Sequence, residues 1–190
     1  DIVPLVEYIA KKGIKPIIIS NTYALTRELL TDLYNAGLFG ITCHIDMLQD
    51  RPDVKETDTE LEIMALRDEK KDLIWDVTRG NINVVFNQTI YHENFKYIPD
   101  IVKWARQNVE KVDGLVFITY RGIPIKDGVS WDIEETGSSV EDMKDAIQYT
   151  EGDTSQIDIL SVDVYNLLKD NFGETYEPAA YLGGTGHIMS

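Results

Sequence analysis

Ile2, Val3, Val6, Ile9 and Ala10 recur at the three- and four-residue spacing of a helix, which Gly13 stops. After Pro16 the pattern switches to a short unbroken apolar run, Ile17-Ile18-Ile19, as expected of a strand covered on both faces. Thr26 is placed to cap a helix carrying Leu29, Leu30, Leu33 and Tyr34, which Gly37 ends. A second strand is predicted over 39–46. A long helix over about 57–76 follows, with Leu61, Met64, Ala65, Leu73 and Ile74 among its apolar positions. The run 82–90 reads as a third strand. Ile98, Ile101, Val102, Ala105 and Val109 mark another helix, and 115–118 reads as a fourth strand.

Strands that alternate with helical stretches of this length imply βαβ units and a parallel sheet. Right-handed crossovers then leave two arrangements, an open doubly wound sheet or part of a barrel. The fold class is α/β. From Gly122 the pattern changes to loop-like segments at 122–128 and 136–139. Two helices follow, one over Met143, Ala146 and Ile147 behind the capping pair Ser138 and Glu141, the other over Ile157, Leu160, Val164, Leu167 and Leu168. The chain thus divides into a βα unit over 1–121 and a loop and helical extension over 122–190.

Composition narrows the function classes. Of the 190 residues, 43% are hydrophobic and 27% charged, as in an ordinary globular domain, and no apolar run approaches the ~20 residues that span a bilayer. The net charge of −15, from 33 acidic against 18 basic residues, argues against nucleic acid as a partner. With Cys43 as the single cysteine, no internal disulfide and no Cys-rich metal site can form. The start lacks a signal-peptide pattern, so the cytoplasm is the expected location. Helix signals begin at the first residue and a Gly-rich turn closes the chain, so it reads as an internal piece of a longer protein. An uncovered sheet edge and a tendency to associate are then expected.

Candidate chemistry collects where the predicted strands end: Ser20-Asn21-Thr22, then His44 and Asp46, Asn87 and Thr89, and Tyr120-Arg121. Parallel βα folds bring such ends to one edge. His44 and Asp46, two positions apart, suit either a divalent metal or hydrogen bonding to a ligand, for example a ribose hydroxyl. A metal needs at least one more donor, which His92 or Glu93 could supply. Cys43 faces away from His44 and reads as core. The Gly183–Gly186 run lacks the Lys-Ser/Thr of a phosphate loop and reads as a turn. Trp75 and Trp104 read as packing, and the run Asp68-Glu69-Lys70-Lys71-Asp72 as a solvated helix face.

The succession "IIISNT", "GITCHIDMLQDRP", "VVFNQTIY" and "LVFITYRG", each followed or preceded by a helix, resembles the radical S-adenosylmethionine superfamily. The likeness covers about residues 1–121, as the second helix through the sixth strand of a (β/α)6 partial TIM-type barrel. "SNT" stands where many members have Thr-Asn-Gly, and "HID" at the ribose-contacting fourth strand. The HID-x-x-Q-x-RP form resembles a subgroup that includes archaeal tetraether-lipid synthases.

The resemblance implies a parent enzyme that uses a [4Fe–4S] cluster and S-adenosylmethionine to make a 5′-deoxyadenosyl radical for C–H activation of a small-molecule or lipid substrate. The cofactors carry that chemistry, so no protein acid or base is assigned. His44 and Asp46 would hold the ribose, Asn21 and Asn87 would orient the cofactor, and Tyr120 and Arg121 would lie near its adenine or carboxylate end. The family's cluster-binding cysteines and its Gly-Gly-Glu motif would fall before Asp1, so this piece alone is expected to be inactive, its missing part being a partner. Two other classes stay open. One is a metal-dependent TIM-type hydrolase or isomerase using His44, Asp46 and His92; the other is a non-catalytic α/β ligand-binding module.

Overall fold

A computed structural model of the chain describes residues 2–49, 51–119 and 159–173. The elements alternate: α1 (Ile2–Lys11), β1 (Ile17–Ser20), α2 (Arg27–Asn35), β2 (Gly40–His44), α3 (Met64–Thr78), β3 (Asn83–Ile90), a 3₁₀ turn (Phe95–Tyr97), α4 (Ile98–Gln107), β4 (Gly114–Thr119) and α5 (Ser161–Phe172). The four strands form one parallel sheet in the order β1-β2-β3-β4. A doubly wound sheet reverses its order at a switch point, and none occurs among the four described strands. With right-handed crossovers, an unreversed order puts the connecting helices on one side, as in a barrel wall.

The burial pattern shows the same asymmetry. Ile41 and Cys43 of β2 and Val84 and Phe86 of β3 are buried with Leu30 and Leu33 of α2, Ile74 of α3 and Trp104 of α4. Trp104 meets Phe86 edge to face, with ring centroids 5.0 Å apart, and donates its indole N–H to Asp68 at 2.9 Å. The opposite face carries Ile17, Ile19, Val116 and Ile118, which stay exposed among the described residues. The expectation that β1 is covered on both faces is therefore not met: Ile19 is 71% exposed and only Ile18 packs against the core.

α1 lies against α2, and Gly37 shows how closely. Its φ is +97°, and a Cβ there would stand 2.8 Å from the Ala10 side chain. Glycine is required at this stop on both counts. α5 packs against α4, where Val164 and Leu168 share a second apolar cluster with Ile90, Ile98 and Ile159.

Several element limits differ from expectation for physical reasons. Thr59 and Glu62 cap one another's amides at 2.6 and 3.4 Å and open a turn over 60–63, and α3 begins after it, at Met64. Leu61 is left exposed by that early turn. α4 ends at Gln107, so Val109 is exposed rather than part of its buried stripe. Leu160 sits exposed just ahead of α5, and its neighbour Ile159 is buried instead. Lys70 and Lys71 correct the reading of a solvated charge run. Both are 6% exposed, and Lys71 Nζ donates to Asp68 at 2.6 Å and to Asn108 at 2.7 Å. The elements expected over 122–157 and the Gly183–Gly186 run lie outside the described residues.

Candidate functional site

The register of the sheet assembles the site. His44 pairs with Asn87, and Asn87 with Val116, so these three form one row across the open face. Thr89 and Ile118 form the next row towards the C-terminal edge. That edge is where parallel βα folds gather their ligand contacts.

β2 ends at His44, so Asp46 lies just past the strand rather than on it. The two side chains still meet, with His44 Nε2 3.0 Å from Asp46 Oδ2. Asp46 is turned inward and buried, its Oδ1 accepting from Leu48 N–H at 3.2 Å and its Oδ2 from Thr89 N–H at 3.3 Å. Burial holds the Asp46 carboxyl above the usual carboxylate range; those two amides, Thr89 foremost, and His44 pull against it. A carboxylate only accepts, so the imidazole proton sits on Nε2, with Thr89 Oγ1 3.1 Å away. In the neutral imidazole Nδ1 then carries the lone pair, on a side chain that is 30% exposed. Beside it Asn87 is 8% exposed, and its Oδ1 has no hydrogen-bond partner among the described residues. A buried amide oxygen left in that state marks a place where a ligand or water can donate.

Asn21 reaches the same edge from the end of β1. Its carbonyl accepts from Arg51 Nη1 at 2.8 Å and its Oδ1 from Tyr23 N–H at 3.1 Å. The adjacent Thr22 is buried with φ +58°, a conformation that strains a β-branched residue. Its backbone N–H donates to Ser20 Oγ at 3.0 Å, which holds the turn. Arg51, itself buried, also grips Asp53 with two bonds of 2.6 and 2.9 Å and so pulls the Asp53 carboxyl below its ordinary value. This arginine fastens the long β2–α3 connection to the end of β1.

Glu60, Arg67 and Asn94, which pattern reading did not single out, tie the same edge together. Glu60 and Arg67 form a fully buried ion pair through Glu60 Oε2 and Arg67 Nη2. Arg67 Nη2 also donates to the Ile45 carbonyl at 2.8 Å, and Glu60 Oε1 accepts from Met47 N–H at 2.9 Å. Asn94 donates to Glu60 Oε1 at 3.2 Å and to the Thr89 carbonyl at 2.9 Å, and accepts from Tyr91 N–H at 2.8 Å. Their one sequence signal is the seven-residue spacing of Glu60 and Arg67, two helical turns.

His44, Asp46 and Asn87 are thus brought together, and Asn21 is held at the neighbouring strand end. Tyr120 and Arg121 lie outside the described residues. His92 is exposed and lines a groove with Phe95, Ile159, Asp163, Asn166, Leu167 and Asp170, on the α5 side. Among the described residues no three His, Cys, Asp or Glu side chains converge as a metal-binding group. Cys43 is buried against the helices and burial pushes its thiol up to about 12, so it is packing. No helix among the described residues is long and apolar enough to cross a membrane.

The described residues define an α/β chain with a polar C-terminal edge on a four-stranded parallel sheet of unreversed order. Compared with known proteins, the chain matches no family model, no curated protein and no solved structure.

Proposed function

We propose that this chain is part of a radical S-adenosylmethionine enzyme and that the His44–Asn87 row contacts the ribose of the cofactor. The observation that carries the reading is the pairing of an oriented imidazole with an unpartnered buried amide oxygen. Both stand at the C-terminal edge of a singly wound parallel sheet, on strands whose sequences resemble that superfamily. His44 Nδ1 and Asn87 Oδ1 accept from sugar hydroxyls, while Asp46 and Thr89 hold the imidazole in the accepting tautomer. Asn21 supports the cofactor from the neighbouring strand end. Tyr120 and Arg121 are assigned to its adenine or carboxylate end, and the four strands to a (β/α)6 wall.

The donor set fits the nucleoside and does not fit the cluster. A [4Fe–4S] cluster needs several thiolates, and the single cysteine of the 190 residues is buried on the other face of β2. The proposal therefore requires the cluster ligands to lie outside this chain, and no step through the cluster is assigned to these residues. Bound S-adenosylmethionine supplies hydrogen-atom abstraction; the chain's share is to bind and orient it, beside a small-molecule or lipid substrate.

Calorimetric titration of the chain with S-adenosylhomocysteine tests the reading. Saturable binding, weakened at least tenfold in His44→Ala and in Asn87→Ala and weakened for the 2′-deoxy analogue, is the expected outcome. No binding at millimolar ligand, or binding indifferent to both substitutions, refutes it. Coding sequence upstream of Asp1 without a closely spaced cysteine triad refutes it independently.

A further inference from the structure

We propose that Glu60 and Arg67 are positioning residues for His44 and Asp46, acting through the backbone on either side of Asp46 and, by way of Asn94, through Thr89. The inference rests on reading the strand-end row as the ligand site. Neither residue touches His44 or Asp46 by any hydrogen bond or ion pair seen in the structure. What they touch is the chain around them. Arg67 holds the carbonyl of Ile45 and Glu60 holds the amide of Met47, so one ion pair grips both neighbours of Asp46. Asn94 hangs from the same Glu60 oxygen and grips the Thr89 carbonyl. Thr89 in turn meets the pair directly, its amide on Asp46 Oδ2 and its hydroxyl on His44 Nε2. The segments after β2 and β3 are thereby locked to one another through a single carboxylate.

A merely structural role explains this poorly. An ion pair with both side chains at or below 1% exposure loses its hydration on both sides, and well-packed apolar residues of similar volume often replace such pairs without loss of stability. What apolar residues cannot reproduce is directional grip on the chosen carbonyl and amide. The placement also suits a ligand site. A group that accepts from a ligand must be held within a few tenths of an ångström, and neighbours locked by a second layer of hydrogen bonds supply that precision. The Glu60 charge additionally works to raise the Asp46 carboxyl.

The test compares the full 190-residue chain with Glu60→Leu/Arg67→Met, which removes the grip while keeping the volume apolar, and with Asn94→Leu, which cuts the ties to Glu60, Thr89 and Tyr91 but leaves the Glu60–Arg67 pair and its holds on Ile45 and Met47 in place. Two measurements are made on each folded protein. One is the pair of ¹⁵N shifts of the His44 imidazole, which report the Nε2–H tautomer without ligand. The other is S-adenosylhomocysteine affinity by calorimetry. The expected result is a cooperative thermal transition in the variants, with averaged His44 ¹⁵N shifts and affinity at least tenfold weaker. Unchanged His44 shifts in a folded variant overturn the proposal, whatever its melting temperature. Should the double variant fail to fold, Asn94→Leu decides by the same criteria. If the wild-type chain takes up no S-adenosylhomocysteine while the imidazole signals still change in the variants, the ligand reading fails and the positioning role stands.

Discussion

Replacing Arg67 alone by methionine separates the two halves of the buried ion pair and gives the largest effect expected of any single change near the site. Methionine fills most of the volume, so the cavity contribution is small. The Glu60 carboxylate, 0% exposed, is left without its counter-ion, and the carbonyls of Ile45 and Glu60 lose a donor each, at 2.8 and 3.2 Å in the intact protein. Breaking one side of a buried pair costs about 3–5 kcal/mol. For a chain of this size each kcal/mol moves the thermal midpoint by roughly 2–4 °C, so the expected fall is about 6–20 °C. Glu60→Leu/Arg67→Met should be the milder change, because no naked charge remains. Its residual cost is about 1–3 kcal/mol, from the Met47 amide and Ile45 carbonyl left unmatched. Urea denaturation followed by tryptophan fluorescence measures all three proteins. An Arg67→Met loss below about 1 kcal/mol, or a double variant weaker than the single one, refutes the reasoning.

Three further outcomes are expected. Burial raises Asp46 above the ordinary carboxylate value, so the folded chain binds more protons than the unfolded one between those two values. Its contribution to stability is complete below the unfolded value and is lost as pH rises through the folded one; the urea midpoint of Asp46→Asn should lack this slope, and parallel curves for the two proteins refute the assignment. Cys43, with its thiol near 12 and no exposed surface, should resist an aromatic disulfide reagent at pH 8 in the native chain and react at once in urea; equal rates would place it at the surface. Gly37→Ala must enter a left-handed conformation and meet the Ala10 Cβ at 2.8 Å, so it should lower stability by about 1–3 kcal/mol by the same denaturation assay; a neutral result means that α1 shifts freely.

The elements that could be read from the chain are those whose signals are local. Gly37 ends α2, and Thr26 caps it with its hydroxyl 3.2 Å from the Leu29 amide, both as the spacing implies. The alternation of strands and helices follows from runs such as 82–90. His44, Asp46 and Asn87 were legible because polar side chains closing an apolar run stand out. Glu60, Arg67 and Asn94 were not. Glu60 and Asn94 are separated by 34 positions, and nothing local to either announces a buried role. Lys71 escaped for the same reason, since its ammonium is met by Asn108 just past α4 and by the Trp104 ring rather than by its own helix alone. Ile19 errs in the other direction: an apolar run says that a strand wants covering, and only the fold says which face is covered.

Arg51, Glu60, Arg67 and Asn94 together fasten the long connection after β2 at several points, and this has a thermodynamic consequence. A mobile connection would lose about 1–2 kcal/mol of conformational freedom for each residue that a ligand forced into order. Here that loss has already occurred during folding, because the backbone at Ile45, Met47, Asn21 and Thr89 is held without any ligand. On the proposed function, a ligand at the edge of the sheet would meet backbone already held in place, and its affinity would be set by the contacts it makes rather than by the disorder it must suppress.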